Sequence, residues 1–381
     1  MNTEKKATRI SSIDMLRGLV MLIMLVDHVR ERFFLHMQVT DPMDVTETDS
    51  GLFFTRLSAH LCAPVFVFLT GLSSWLYANP INKAPRSPRS FLLKRGLFLV
   101  LLEITLVNLS WFGTYNTLYL QVIWVIGLSM ICLGILCTLP RVWIGVIGFL
   151  IVFGHNALSP ISFTPNETGY SIWTILHDRG YLLQHSFLNI KISYPLLPWI
   201  GVILLGYFAG PLYQQQMPAI KRQKALIAIG CACLVLLAIL RGFNIYGETL
   251  PWHVHESNIM SVMSFFNYTK YPPSLDFILL TLGIGHLLLF AFEKYRFRWM
   301  QVLKTFGSAP MFFYIVHLYI LLAIYSICVA IFGTNHGDYF GVSHLLQIWL
   351  IAILLSVLLY YPTKVFSAYK RKSSSKLITY F

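Results

Sequence analysis

The sequence predicts an all-α fold, a polytopic membrane helix bundle of about ten transmembrane helices with both termini in the cytoplasm. Three observations predict it. Of 381 residues, 56% are hydrophobic and only 12% are charged, with a mean hydropathy of +0.65; a soluble domain carries about 25% charged residues. Ten apolar stretches approach the roughly 20 residues that a membrane helix needs. Lysine and arginine are segregated to alternate connections between those stretches. The runs are continuous rather than alternating, which excludes a barrel. The same composition excludes a soluble enzyme, a disordered chain, collagen and a disulfide scaffold.

In order, the stretches are about 13–34, 52–78, 91–110, 118–138, 141–156, 195–213, 224–242, 274–293, 309–332 and 345–363. The first reads as a retained helix: it is too long for a signal peptide, lacks a small-x-small cleavage site and contains Asp27 and His28. With these spans, 21 of the 29 lysines and arginines fall at one face, seven at the other, and Arg17 lies inside the first span. The basic face includes Lys94, Arg95, Arg141, Lys221, Arg222 and the tail, while Asp44, Glu47, Asp49, Glu167 and Glu248 collect opposite. Topology thus accounts for the net charge of +13, and the expected partner is membrane lipid, with no nucleic acid. Residues 1–381 read as a single domain with outer loops at about 35–51, 157–194 and 243–273. The second loop suits a re-entrant or interfacial helix. Long outer loops over a bundle are where a non-cytoplasmic substrate is received.

Ionisable residues inside spans are expensive and are functional candidates by default. Asp14, Arg17, Asp27 and His28 all fall within the first span. At 100° per residue, Arg17 lies about 60° and His28 about 40° behind Asp14, so one stripe carries all three. Asp14 and Arg17 form an i,i+3 pair able to neutralise each other, and His28 stands about 16 Å beyond Arg17. Asp27 points about 100° away from His28 and is placed to orient another group. In the second span, Arg56 and His60 share an i,i+4 face before Pro64. In the ninth, Tyr314 and His317 are i,i+3 on one face. Lys270, in the third outer loop, is an acceptor-side candidate. No histidine pair has zinc-site helical spacing, and no metal is expected. The six cysteines read as small packing residues.

The stretch RISSIDMLRGLVMLIMLVDHVRER (9–32) resembles the opening of the heparan-alpha-glucosaminide N-acetyltransferase catalytic-domain family, in its bacterial membrane branch. The likeness continues in FFTRLSAHLCAPVFVFLTG (53–71), YPLLPWIGVILLGYFAGPLY (194–213), NYTKYPPSLDFILLTLG (267–283) and GSAPMFFYIVHLYI (307–320). The resemblance implies an acyl-CoA-dependent transferase that takes acetyl-CoA from the cytoplasm and acetylates a sugar or glycan acceptor across a membrane, here a bacterial inner membrane. A related superfamily of membrane acyltransferases shares the Asp-x-x-Arg opening and a histidine at the end of the first span, matched by Arg17 and His28. The lysosomal member has asparagine at the position of Asp27, and its active histidine falls nearer His36 here.

Joined to the residue chemistry, the resemblance implies that Asp14, Arg17, Tyr314 and His317 bind the acyl-CoA co-substrate. It implies that His28, Asp27 and His60 are catalytic, with Arg56 and Lys270 contacting the acceptor. His28 is preferred to His36, which lies in an acidic stretch. A homodimer is compatible with this reading. The rival is a transporter or flippase for a sugar or lipid-linked precursor, which would usually show an inverted repeat of broken helices; no matched halves are visible in the sequence.

Overall fold

The computed structural model describes residues 11–35, 43–81, 83–375, 378 and 380–381. Helix covers most of each of the ten apolar stretches. The first is α1 (Ser12–Phe33). The second breaks at His60–Leu61 into α2 (Ser50–Ala59) and α3 (Cys62–Ala78), with Asp49 capping α2 by accepting from the Gly51 and Leu52 amides. The third runs as α4 (Arg89–Leu102), a π-turn over Glu103–Val107 and α5 (Asn108–Phe112). Then follow α6 (Val122–Leu136), α7 (Arg141–Gly154), α8 (Tyr170–Leu176), α9 (Leu197–Phe208) and α10 (Ala219–Gly242). The chain continues through α11 (Asn258–Phe266), α12 (Leu275–Lys294), α13 (Met300–Ser308), α14 (Pro310–Phe332) and α15 (Leu345–Lys372).

Among the described residues, six helical segments are long and apolar enough to cross a membrane: Ser50–Ala78, Arg141–Leu158, Ala219–Gly242, Leu275–Lys294, Pro310–Phe332 and Leu345–Lys372. The other four stretches are helical but shorter or more charged; α1 carries Asp14, Arg17, Asp27, Arg30, Glu31 and Arg32. Large apolar side chains on α7, α10, α14 and α15 are exposed, among them Leu150, Val235, Phe332 and Val357. Outward apolar flanks on long helices are the surface of a helical membrane protein.

The all-α expectation needs one correction. Strands β1 (Thr117–Leu120), β2 (Gly180–Gln184) and β3 (Asn189–Ile192) form a small sheet in the order β1-β3-β2. β1 runs parallel to β3, and β2 pairs antiparallel with β3 through an irregularity between Tyr181 and Leu183. Strands β2 and β3 lie in the later part of the second long loop, and α8 is the short helix that precedes them there. The sheet also takes Thr117–Leu120 from the expected start of the fourth span. β1 meets its partner some 70 residues later, so no local pattern announces it.

Charge decides the position of α1. A helix with six ionised side chains cannot face hydrocarbon, and α1 is enclosed by α2, α3, α12, α13, α14 and α15. Its closest neighbour is α13, which it meets backbone to backbone. A Cβ at Gly18 would overlap the Leu303 carbonyl, and one at Gly307 would overlap the Asp14 carbonyl. Small residues at such crossings let helices approach where hydrophobic driving force between them is weak.

Gly307→Leu is therefore expected to force α1 from α13 and cost about 3 kcal/mol, the upper end of the usual overpacking range. Gly154→Ala, at a position with open space around it, should leave stability unchanged. Melting temperatures of the detergent-purified variants measure both.

Candidate active site

A cavity of about 1390 Å³ runs beside α1. Its wall includes Asp14, Arg17, Asp27 and His28 from α1, Ser73 and Ser74 from α3, Arg95 from α4, Tyr314 from α14, and Lys270. From Asp14 to His28 the helix rises about 21 Å, so the cavity has two chemically different ends.

At the first end, Arg17 Nη1 lies 3.3 Å from Asp14 Oδ1. Arg17 Nη2 donates to the Leu69 carbonyl at 3.4 Å and to Ser73 Oγ. Arg95 and Lys370 join it on the wall, beside Asn79 and Tyr77. Arg95 Nε is buried with no hydrogen-bond partner among the described residues. Among the described residues, the cations Arg17, Arg95 and Lys370 and one carboxylate, Asp14, line this end, a composition that favours an anion there.

At the other end, His28 is half-buried, with the Trp111 ring edge-on at 5.0 Å and Tyr314 at 6.0 Å. Its Nδ1 lies 2.7 Å from Nε2 of His317, whose own Nδ1 lies 2.8 Å from the Phe313 carbonyl. A carbonyl only accepts, so Nδ1 of His317 carries the proton. Its Nε2 in the neutral ring is then an acceptor, and His28 Nδ1 must be the donor. The proton on His28 is thereby fixed at Nδ1, and Nε2 keeps its lone pair. Arg32 holds Trp111 in place, donating to the Ser110 and Trp111 carbonyls at 2.9 Å each.

Asp27 does not touch His28. Its Oδ1 accepts from Arg30 Nε at 3.0 Å, and its Oδ2 pairs with Arg56 Nη1. Glu31 joins the group, 3.3 Å from Arg30 and 3.7 Å from Arg56. Asp27, Arg30 and Arg56 are all buried. Asp27 is thus paired with Arg30 and Arg56, and Arg56 itself does not line the cavity. His60 does not reach the wall either. It is buried against Phe277 at 5.0 Å, and neither ring nitrogen has a partner among the described residues. His317 stands behind His28 rather than on the wall. His36 lies outside the described residues.

Lys270 and Tyr194 complete the His28 end. The Tyr194 and Tyr271 hydroxyls are hydrogen-bonded at 3.1 Å, and Lys270 Nζ lies 5.3 Å from the Tyr271 ring centre. Burial pushes the Tyr194 phenol well above its ordinary range. Burial acts the same way on Tyr271, but Lys270, Arg56 and the bond to Tyr194 outweigh it and hold that phenol below its usual value.

Sequence reasoning missed several members of the site. Arg95 and Lys370 stood out only as part of the basic face. Ser73, Trp111 and Tyr194 carried no signal beyond their polarity or aromaticity, because tertiary packing alone brings them to α1. No three His, Cys, Asp or Glu side chains converge to hold a metal ion among the described residues.

Residues 9–237, about three fifths of the chain, match the model of the family described as heparan-alpha-glucosaminide N-acetyltransferase, catalytic. A search of curated proteins found no match.

Removing one partner of a buried pair strands the other. Asp27→Asn should therefore destabilise the protein by about 3–5 kcal/mol. Adding Arg56→Gln should recover part of that loss, with a coupling of about 1–3 kcal/mol in a double-mutant cycle measured by thermal unfolding.

Proposed function

This chain belongs to the heparan-alpha-glucosaminide N-acetyltransferase catalytic family, and from that premise we propose that it transfers an acetyl group from acetyl-CoA to a sugar or glycan acceptor on the opposite side of a membrane. The observation that carries the reading is the single cavity along α1, with cations at one end and an oriented imidazole about 16 Å from Arg17 at the other. Coenzyme A is long, anionic at its nucleotide end and reactive at its sulfur, and that polarity matches the cavity's.

The basic face supports a topology of ten spans within one domain, with both ends of the chain cytoplasmic. The Arg17 end then opens toward the cytoplasm and the His28 end toward the outer loops. Arg17, Arg95 and Lys370 receive the phosphates, with Asp14 fixing Arg17. The pantetheine arm passes Tyr314 toward His28.

At the thioester, the acceptor's amine or hydroxyl attacks the carbonyl carbon. His28 Nε2 takes its proton as the new C–N or C–O bond forms. The C–S bond breaks, the electron pair leaves on sulfur, and the proton passes from His28 to the thiolate. His317 holds His28 in the tautomer this requires and is a positioning residue. Lys270 and the Tyr194–Tyr271 pair face the acceptor. Asp27 holds Arg56, which stabilises that wall without touching substrate, and His60 lies behind it.

Liposomes containing the protein, radiolabelled acetyl-CoA and glucosamine or extracted envelope glycans test the proposal. Wild type should transfer label, and His28→Ala should lower kcat by about 10²–10⁴-fold. Absence of transfer together with absence of acetyl-CoA binding would overturn the reading. Arg95→Gln should raise KM for acetyl-CoA about tenfold with kcat nearly unchanged, and should shrink the melting-temperature rise that acetyl-CoA gives. His317→Ala should lower kcat and leave that thermal shift intact, because it acts on the proton and not on the donor's phosphates.

A further inference from the structure

A second cavity of about 320 Å³ lies on the far side of α3 from the first, between α7, α9, α10 and α12. Its wall is apolar, with Phe68, Phe149, Phe208, Ile229 and Leu282 prominent, and only Arg141 and His286 bring strongly polar side chains to it among the described residues. Phe149, Phe153 and Ile229 both line it and are exposed, so it opens sideways through the flank that α7 and α10 present outward.

Arg141 stands at one end, at the first residue of α7. Its Nη1 donates to the Phe208 carbonyl at 2.9 Å, and its guanidinium lies 4.8 Å from the Phe208 ring centre. These contacts hold the cation at the groove's end. From Arg141 to Phe153 the helix rises about 18 Å, close to the roughly 15 Å of hydrocarbon in one leaflet. His286 is turned to its own helix, its Nδ1 donating to the Leu282 carbonyl at 2.7 Å, so it adds no second charge-seeking group deep in the groove.

We propose that this groove binds one anionic phospholipid, its headgroup phosphate on Arg141 and one acyl chain along Phe149, Phe153 and Leu282. Charge complementarity fixes the class: an apolar slot of one-leaflet length, open to the bilayer and ending in an immobilised guanidinium, fits a headgroup of net negative charge better than a zwitterionic one, whose ammonium meets no carboxylate among the described wall residues. Basic pockets between membrane helices bind acidic headgroups in this way. The site is separate from the α1 cavity and does not depend on the acetyl-transfer reading.

The test uses the full-length protein, delipidated in detergent and titrated with phosphatidylglycerol or phosphatidylcholine while bound lipid is counted by native mass spectrometry and melting is followed. Phosphatidylglycerol should bind at one equivalent, at least tenfold more tightly than phosphatidylcholine, and raise the melting temperature. Arg141→Gln should weaken it at least tenfold, and Cys233→Trp, at an α10 residue of the groove wall, should fill the groove and displace it. Equal binding of the two lipids by wild type would overturn the proposal, as would phosphatidylglycerol binding unchanged in Arg141→Gln. Oleate binding as tightly as phosphatidylglycerol would reassign the groove to a free fatty acid, and stabilisation by inorganic phosphate alone would remove the acyl chain from the account. Should Cys233→Trp fail to fold, the headgroup comparison in wild type decides the question.

Discussion

The rest of the structure is arranged around the charges of α1. Six ionised side chains in one helix are intolerable in hydrocarbon and costly even in protein unless paired. The fold answers with two solutions at the helix's two ends. Near Phe33, Asp27, Arg30, Glu31 and Arg56 form a mutually neutralising group of two acids and two arginines, buried except for the half-buried Glu31. Near Ser12, Asp14 pairs with Arg17, and further cations line the space beside it. The first group neutralises itself, and Lys270 is the cation that the described residues add to the cavity wall at that end, whereas Arg17, Arg95 and Lys370 all line the other. That difference gives the cavity its polarity.

Packing converts the same constraint into precise placement. Gly18 and Gly307 let α13 lie directly on α1, so the chain entering α14 starts from a fixed point. Two turns into α14, Tyr314 and His317 then arrive beside His28. A looser crossing would move His317, and the 2.7 Å contact that sets the tautomer of His28 would be lost. The helix crossing at one end of α1 and the protonation state at the other are linked through one rigid connection.

Much of this was legible in the sequence, for identifiable reasons. Long apolar runs gave helices because nothing else satisfies a backbone in hydrocarbon. The 100° step put Asp14, Arg17 and His28 on one stripe, and all three line one cavity. It also separated Asp27 from His28, as found. What stayed hidden depends on contacts distant in sequence. His28 and His317 are 289 residues apart, and neither alone reveals that the second sets the proton of the first. Arg95 and Lys370 were masked by topology, since any lysine or arginine on that face already has an explanation. Helical spacing from Arg56 does not show which neighbour His60 meets: its ring packs against Phe277 and does not line the cavity.

The hydrogen-bond chain through the two histidines has a direction. It ends on the Phe313 carbonyl, which cannot release a proton, and among the described residues no carboxylate terminates it. A histidine backed by a carboxylate is stabilised as an imidazolium; one backed by a neutral imidazole whose far nitrogen is already committed is not. In the proposed reaction, His28 holds a proton only while the thioester collapses and passes it directly to the departing sulfur. The carboxylate next to it in sequence, Asp27, is occupied by Arg30 and Arg56. That occupation keeps the nearest negative charge from trapping the proton on the imidazole.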